Sequence, residues 1–466
     1  MRGVRDESIA GSAGLVVSSQ ALLLLFATMS VLAASLYHPL VPTMTDRHLP
    51  APLRFLLAAR RSELHGLERL SMVCDLVVHV CVLTHALQKE RGYSNLHLSH
   101  PRDRFAVTLG TLAEHTRARN HVLQECLDDW DATASGNTRL LNAIAHALFR
   151  LESHGDLRSR VRERRIDAEQ ADTRYTQLIS SLLSIVFEAA DVSLDPGVTG
   201  MLVSLLNFMQ GKELCGQERA CGVTGFTAGW FSDAQKARML GLSANQQRSL
   251  NTFTRFAESD VRAAWEALPI VDSVQQMRDM AQRTSPTQQV DPDLAEIWFD
   301  ACTQRIDAMH DIELLLARTL AQRCAERIAT SRLELEDHRL LLSRYADHAT
   351  GREPAMIFSV QGRLVDQPSA DGVNESLERP ILDLMREQTA RLQRADEALT
   401  AARASLNEKR ILDRAKGLLS REFGLTESAA HDRLQRAAMS SGLSMIEVAR
   451  QIVTEQSHAG TTDMSR

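Results

Sequence analysis

The amino-acid sequence predicts an all-α chain, and three observations carry that prediction. Twelve prolines, 23 glycines and 5% aromatic residues in 466 positions are too few for a β-sandwich or a propeller, which need turn residues about every ten positions. Hydrophobic residues make up 44% and charged residues 24%, enough for real cores and inconsistent with wholesale disorder. From Pro52 to about Leu342 apolar residues recur at helical spacing. At about 100–200 residues per domain, the length implies two to four domains. The net charge of −6 argues against a uniformly basic nucleic-acid binder and leaves room for a local basic face.

Ser8 to Thr45 holds no charged side chain, and within it Ala21–Leu36 is a strongly apolar run behind Arg2 and Arg5. Three readings fit residues 1–51: an over-extended start with initiation near Met44 or Met29, a membrane anchor, or a cleaved signal. Leu56, Leu57, Leu64, Leu67, Leu70 and Val73 open a long helix that continues through Leu76, Val80 and Leu83. Asp195-Pro-Gly, Gly222 to Gly229, Pro269 and Ser285 to Pro292 are the expected breaks in a helical domain spanning 52–345. The basic run Arg158–Arg165 reads as a solvated helix face balanced by Glu163, Asp167 and Glu169.

Residues 346–374 are rich in Gly, Pro, Ser and Asp and read as a linker with one short strand at Met356–Val360. Leu392, Ala395, Leu399, Ala402 and Leu406 then step by threes and fours, a seam that Ile381 and Met385 extend upstream. A coiled-coil-like connector over 375–407 is expected, with the seam at 381–406 joining two copies in a homodimer. Residues 408–456 form three short helices with small inner residues. Gly424 stops the first, Thr426 caps the second, Gly442 ends it and Ser444 caps the third. The polar tail 457–466 reads as disordered.

The chemistry is sparse. There is no GxSxG, Walker loop, GxGxxG after a strand, or HExxH, so the chain reads as no enzyme, with no catalytic residue. His97 and His100 lack the carboxylates of a metal motif, and no metal or cofactor is expected. The seven cysteines, at 74, 81, 126, 215, 221, 302 and 324, form no CxxC pair and lie mostly in apolar runs. That excludes a zinc ribbon, a disulfide framework or a redox cluster, and points to a reducing compartment.

Arginine supplies 48 of the 53 basic residues, an excess that a GC-rich genome produces, so only individual placements carry an argument. Two stand out. Gln88-Lys-Glu-Arg-Gly-Tyr-Ser sets Arg91 at the end of a long apolar helix, and Gln210-Gly-Lys-Glu-Leu-Cys-Gly-Gln-Glu-Arg-Ala sets Arg219 in an echoing context. Two such helices face to face would converge guanidiniums on one small oxyanion. Pairing with Glu90, Glu213 or Glu218 is the competing reading. Farther on, Lys409, Arg410, Arg414, Lys416 and Arg421 share a helix, and Arg433 and Arg436 lie on the next. With eight basic and seven acidic residues over 408–456, this is a modest phosphate-facing footprint.

Residues 408–453 resemble the ANTAR domain, a three-helix RNA-binding module of bacterial antiterminators. The resemblance rests on Arg414-Ala-Lys-Gly-Leu-Leu, Gly424-Leu-Thr-Glu, Leu434-x-x-Ala-Ala-Met and Glu447-Val-Ala, with Ser420 where the family usually has methionine. Residues 53 to about 345 resemble the NIT domain, a nitrate- and nitrite-sensing double four-helix bundle. Here the matching pieces are Gln88-Lys-Glu-Arg-Gly-x-Ser, the Phe208–Ala220 segment, and Trp298-Phe-Asp-Ala-Cys-Thr-Gln-Arg-Ile-Asp. The combination is similar to NasR-type nitrate/nitrite-responsive antitermination regulators. That resemblance implies nitrate or nitrite held by Arg91, Arg219 and Arg305. It implies a leader mRNA hairpin gripped by Lys409, Arg410, Arg414, Lys416, Arg421, Arg433 and Arg436. It also implies read-through of nitrate-assimilation genes and a cytoplasmic chain that binds no DNA. The alternative is a membrane-tethered anion receptor whose C-terminal bundle contacts protein.

Overall fold

The computed structural model describes residues 51–99, 104–128, 130, 137–193, 195–268, 272–348, 357–360, 363–366, 378–425, 427–441 and 443–462. The Ala21–Leu36 run with its three readings lies outside them, as do His100, Thr426 and Gly442 and the side chains of Ile381 and Met385. The chain divides into two compact units, residues 1–59 with 338–352 and residues 60–337 with 353–466. Of the first unit, the described residues are the start of one long helix and the end of another. The apolar cores, the hairpin and the C-terminal helices belong to the second.

The described residues are helical apart from turns and one hairpin. Helix α1 (Ala51–Ser99) is followed by α2 (Ala106–Asp128), α3 (Thr138–Glu152), α4 (His154–Arg162) and α5 (Ala168–Val192). Then come α6 (Pro196–Thr227), α7 (Asp233–Phe256), α8 (Ser259–Glu266), α9 (Asp272–Arg283) and α10 (Leu294–His348). The predicted strand is β1 (Ile357–Val360), and it pairs antiparallel with β2 (Arg363–Asp366), which the sequence did not announce. Helices α11 (Glu378–Phe423), α12 (Glu427–Ser441) and α13 (Met445–Thr462) close the chain. Helix α13 runs to Thr462, past Gln456, where a disordered tail was expected.

The caps explain several boundaries. Asp167 and Asp195 accept from the backbone N–H groups of Gln170 and Val198 at 2.7 and 3.0 Å, and Pro196 begins α6 where no N–H is needed. Ser232 with Gln235 and Ser444 with Glu447 form reciprocal capping boxes. The expected break over Gly222 to Gly229 falls at the end of that stretch: α6 continues through Gly222 and Gly225 to Thr227 and ends before Gly229, whose φ is +76°. Gly222 and Gly225 instead admit the Trp298 and Phe231 rings, which a Cβ would meet at 2.1 and 2.2 Å. Glycine inside a helix costs about 1 kcal/mol in propensity; here the close packing of two buried aromatics offsets it.

Two apolar cores share α1, α6 and α10. The larger contains Leu70 to Leu87 of α1, Val198 to Cys215 of α6 and Ile306 to Cys324 of α10. The smaller contains Leu96, Val223, Phe226, Ala295, Trp298 and Cys302 of the same helices, with Met239 and Met277 from α7 and α9. Between them each helix carries a belt of buried polar residues: Gln88 to Asn95 on α1 and Lys212 to Arg219 on α6, with Thr303 on α10. A stretch of α1 within Arg54–Ser99 has the length and mean hydropathy, 1.9, of a membrane-crossing helix, and 72% of it is buried in the protein.

The connector and the first helix of the C-terminal module are one helix, α11. The C-terminal part of its seam is covered within the chain: Leu399, Ala402 and Leu406 are buried and Leu406 joins the larger core, whereas Leu392 is 59% exposed. A heptad stripe demands an apolar cover and does not say whose. The C-terminal module has its own small-residue core of Ala415, Leu419, Ala430, Leu434, Ala438, Val448 and Ala449.

Candidate anion-binding site

The polar belt is a set of buried charges, most of them assigned a counter-charge by the helix packing. Glu90 accepts two hydrogen bonds from Arg158 of α4, at 2.6 and 2.8 Å, and one from the Tyr175 hydroxyl at 3.0 Å. Burial alone would raise the Glu90 carboxyl, but Arg158 and His154 outweigh it and hold it well below the usual carboxylate range. Arg158 is thus no part of a solvated face, and a left-handed Arg164 (φ 53°) ends the basic run. On the other side of α6, Glu218 is forked by Arg278 at 2.6 and 2.7 Å and also accepts from Gln246 at 2.7 Å. Lys212 and Glu313, both fully buried, form an ion pair that His310 joins at 2.8 Å, with His85 stacked on His310 at 3.7 Å.

Arg91 and Arg219 sit where α1 and α6 cross in this belt, and the packing is reciprocal. The Arg219 guanidinium lies against Gly92, whose added Cβ would come within 2.3 Å of Nη2. The Arg91 guanidinium lies against Gly216, with the corresponding distance 2.2 Å. Each arginine therefore occupies space that the other's helix leaves open beside its own arginine. Each also donates to a threonine hydroxyl: Arg91 Nη1 to Thr176 at 3.0 Å and Arg219 Nη1 to Thr303 at 2.8 Å.

Their charges are treated differently. Arg91 is forked by the Glu213 carboxylate, Nη2 to Oε2 measuring 3.1 Å, with Asp172 at 3.7 Å from Nε. Burial would lower its pKa, but Glu213 and Asp172 raise it on balance. Arg219 has no carboxylate within ion-pair distance among the described residues. Besides Thr303, its Nη2 donates to the Gln88 carbonyl at 2.8 Å, its guanidinium lies 4.9 Å from the Phe299 ring centre, and its buried Nε has no hydrogen-bond partner. Burial, then the like charge of Arg91, push its pKa down to about 10, so it is still cationic at neutral pH. A buried cation with no counter-charge and an unpaired N–H is an arrangement that a small oxyanion satisfies in both charge and hydrogen bonding.

Of the predicted ligand residues, the structure brings Arg91 and Arg219 together. Arg305 is half-buried and makes no hydrogen bond or ion pair with a described residue; its charge acts on the Cys215 and Cys302 thiols. Thr303, two positions earlier, supplies the α10 contact to Arg219. Thr303, Thr176 and Phe299 were not singled out in the sequence, whereas Glu213 was named there as a competing partner for an arginine. No group of three or more His, Cys, Asp or Glu able to hold a metal occurs among the described residues.

The predicted RNA contacts fall into two sets. Arg414, Arg421, Arg433 and Arg436 are exposed, and Arg433 stacks on Phe423 at 3.8 Å. Lys409 and Arg410 instead face α5, 5.7 and 5.4 Å from the Phe187 ring centre, and Arg410 pairs with Asp191 at 3.0 Å. Lys416 is half-buried and pairs with Asp413 at 2.7 Å. Two turns before Arg410, Arg403 donates to the Asp191 and Ser193 carbonyls, both at 3.2 Å. On α12, His431 lies 3.3 Å from Asn245 and 3.5 Å from Arg248 of α7.

Fold and site together define a two-part regulator, a helical anion sensor joined by a continuous helix to a three-helix effector. A family model described as nitrate and nitrite sensing matches residues 82–321, and one for the ANTAR domain matches residues 400–453. The nitrate regulatory protein of Klebsiella oxytoca is 30% identical over 413 residues, covering 87% of this chain and 95% of that protein. The solved structure of the NasR transcription antiterminator aligns with a TM-score of 0.54 at 28% identity, over 88% of this chain and 100% of that one. The chain belongs to the NIT–ANTAR family of nitrate-responsive transcription antitermination regulators.

Proposed function

We propose that nitrate or nitrite binds in the α1–α6 crossing, held by Arg219 and Arg91, with Arg305 adding positive field from α10. The observation that carries this reading is the buried Arg219 guanidinium with no carboxylate of its own. Anion binding biases an existing equilibrium between packings of the helices that share the belt. Docking of α11 and α12 on the sensor engages Lys409 and Arg410 with Phe187 and Asp191, and His431 with α7. Undocking frees the full basic face to grip a hairpin in a leader mRNA, phosphates giving affinity and loop shape giving selectivity. The stabilised hairpin blocks a competing terminator, and nitrate-assimilation genes are read through.

The chain acts in the cytoplasm, where nascent transcripts are, and catalyses nothing. Calorimetry of the full chain with sodium nitrate, followed by gel shift of a leader hairpin with and without nitrate, tests both halves. The expected result is one bound anion per chain and RNA binding that strengthens with nitrate. RNA binding that ignores nitrate would overturn the mechanism.

A further inference from the structure

Glu213 faces the pair of arginines from α6 itself, and Asp172 of α5 sets a second carboxylate 3.7 Å from Arg91 Nε. Glu213 stands six residues before Arg219 and is 5% exposed. Its two oxygens fork Arg91; they also accept from Gln88 Nε2 at 2.9 Å and Gln217 Nε2 at 3.0 Å. The fork runs across Gly216, where a Cβ would stand 2.2 Å from Arg91 Nη2 and 4.0 Å from Glu213 Oε2. Arg219 packs on Gly92, the residue next to Arg91, and feels the Arg91 charge. A small anion that takes Arg219 therefore enters the field of two cations and of the Glu213 and Asp172 carboxylates already beside the second.

We propose that Glu213 is an intramolecular competitor of the anion: it holds Arg91, repels a second negative charge, and so sets the concentration at which the sensor responds. The inference rests on the reading of Arg91 and Arg219 as the anion's holders and adds what regulates them. The same carboxylate ties α1 to α6 through Arg91 and Gln88. An anion that draws Arg91 away from Glu213 thus loosens a cross-helix tie in the act of binding, which couples occupancy to helix packing without a separate relay. Most buried glutamates that position an arginine would weaken ligand binding on removal; a competitor does the opposite.

The test is calorimetry of sodium nitrate with the full chain, comparing the unsubstituted protein with E213Q, E213D and R219A at one ionic strength. E213Q keeps the size of the side chain and removes the charge; nitrate affinity is expected to rise about tenfold or more. E213D keeps the charge but draws it back from Arg91, so a smaller rise is expected. It takes the place of E213Q should the glutamine variant fail to give a cooperative melt. Affinity that falls or stays level in both variants, while R219A abolishes binding, would overturn the competitor role and leave the anion site standing. Nitrate binding that survives R219A, or is absent from the unsubstituted protein, would overturn the anion-site reading and this inference with it.

Discussion

Arg219 and Arg414 are the same side chain in opposite surroundings. In the sensor the arginines are sealed between two apolar cores, and each is held in place by a threonine, a glycine gap and either a carboxylate or a carbonyl. In the effector, Arg414, Arg421, Arg433 and Arg436 stand in solvent above a core of alanines and leucines. The difference matches the two ligands proposed for these regions. A triatomic or tetra-atomic anion offers few contacts, so its holder must be desolvated and preorganised for each contact to count. A polynucleotide offers many phosphates, and exposed, mobile charges suffice, each contributing little and all weakened by salt.

If burial is what separates the two regions, single substitutions should differ in kind as well as size. Lys212→Ala leaves Glu313 buried with His310 in place of its lysine counter-charge; a loss of about 3–5 kcal/mol in unfolding free energy is expected from urea denaturation. A loss under about 1 kcal/mol would show that water reaches the belt. Arg219→Ala should reduce nitrate affinity by about a hundredfold or more in calorimetry, since a charge-assisted pair in a dry site is removed with no substitute. Full affinity in that variant would dissociate Arg219 from the ligand.

The effector substitutions should be milder. Asp191→Asn removes the partner of Arg410 at the docking face, and RNA binding without nitrate should rise several-fold in gel shifts. No rise would mean that the α5 contact does not restrain the module. Arg436→Ala should leave stability within about 0.5 kcal/mol and weaken RNA binding modestly at every sequence, lowering the salt slope by about 0.7.

The smallest effect expected is on pH dependence. Burial, followed by neighbouring positive charges, holds His85 below its usual range. Burial likewise holds His310 below it, in spite of its bond to Glu313. Between those lowered values and the ordinary histidine value, the unfolded chain binds more protons than the folded one. Stability should therefore rise with pH up to about 6.5 and fall as the solution is acidified, by up to about 1.4 kcal/mol per pH unit for each histidine. His310→Gln should flatten that slope; an unchanged slope would assign it to other groups.

The helices were legible because burial imposes a 3.6-residue period on the chain, and their caps because Asp, Ser and Pro satisfy or avoid orphan N–H groups. The two arginines were legible as an echo between Gln88-Lys-Glu-Arg-Gly and Gly216-Gln-Glu-Arg. Their partners were not. Glu90, Glu213 and Glu218 are equally plausible along the chain. Only the packing of α4 and α9 gives Glu90 to Arg158 and Glu218 to Arg278, leaving Glu213 to Arg91 and nothing to Arg219. The seam of α11 shows the same limit: its stripe predicted an apolar cover, and only the packing shows that Leu399, Ala402 and Leu406 are buried within the chain while Leu392 is exposed. Within the break expected over Gly222 to Gly229 the two ends have different uses, since Gly222 admits Trp298 and Gly229 follows the end of the helix, and the two look alike until the tryptophan is placed.

Helix α11 has no break between the seam and the effector core, and its 46 residues make a rod about 69 Å long. A rod pivoting at one end acts as a lever. Each degree of tilt about Arg391 would move Arg410, about 28 Å along the rod, by about 0.5 Å, so a rotation of several degrees would part Arg410 from Asp191. Its stiffness turns a small rearrangement in the polar belt into a displacement on the scale of a side chain, with no hinge and no unfolding between.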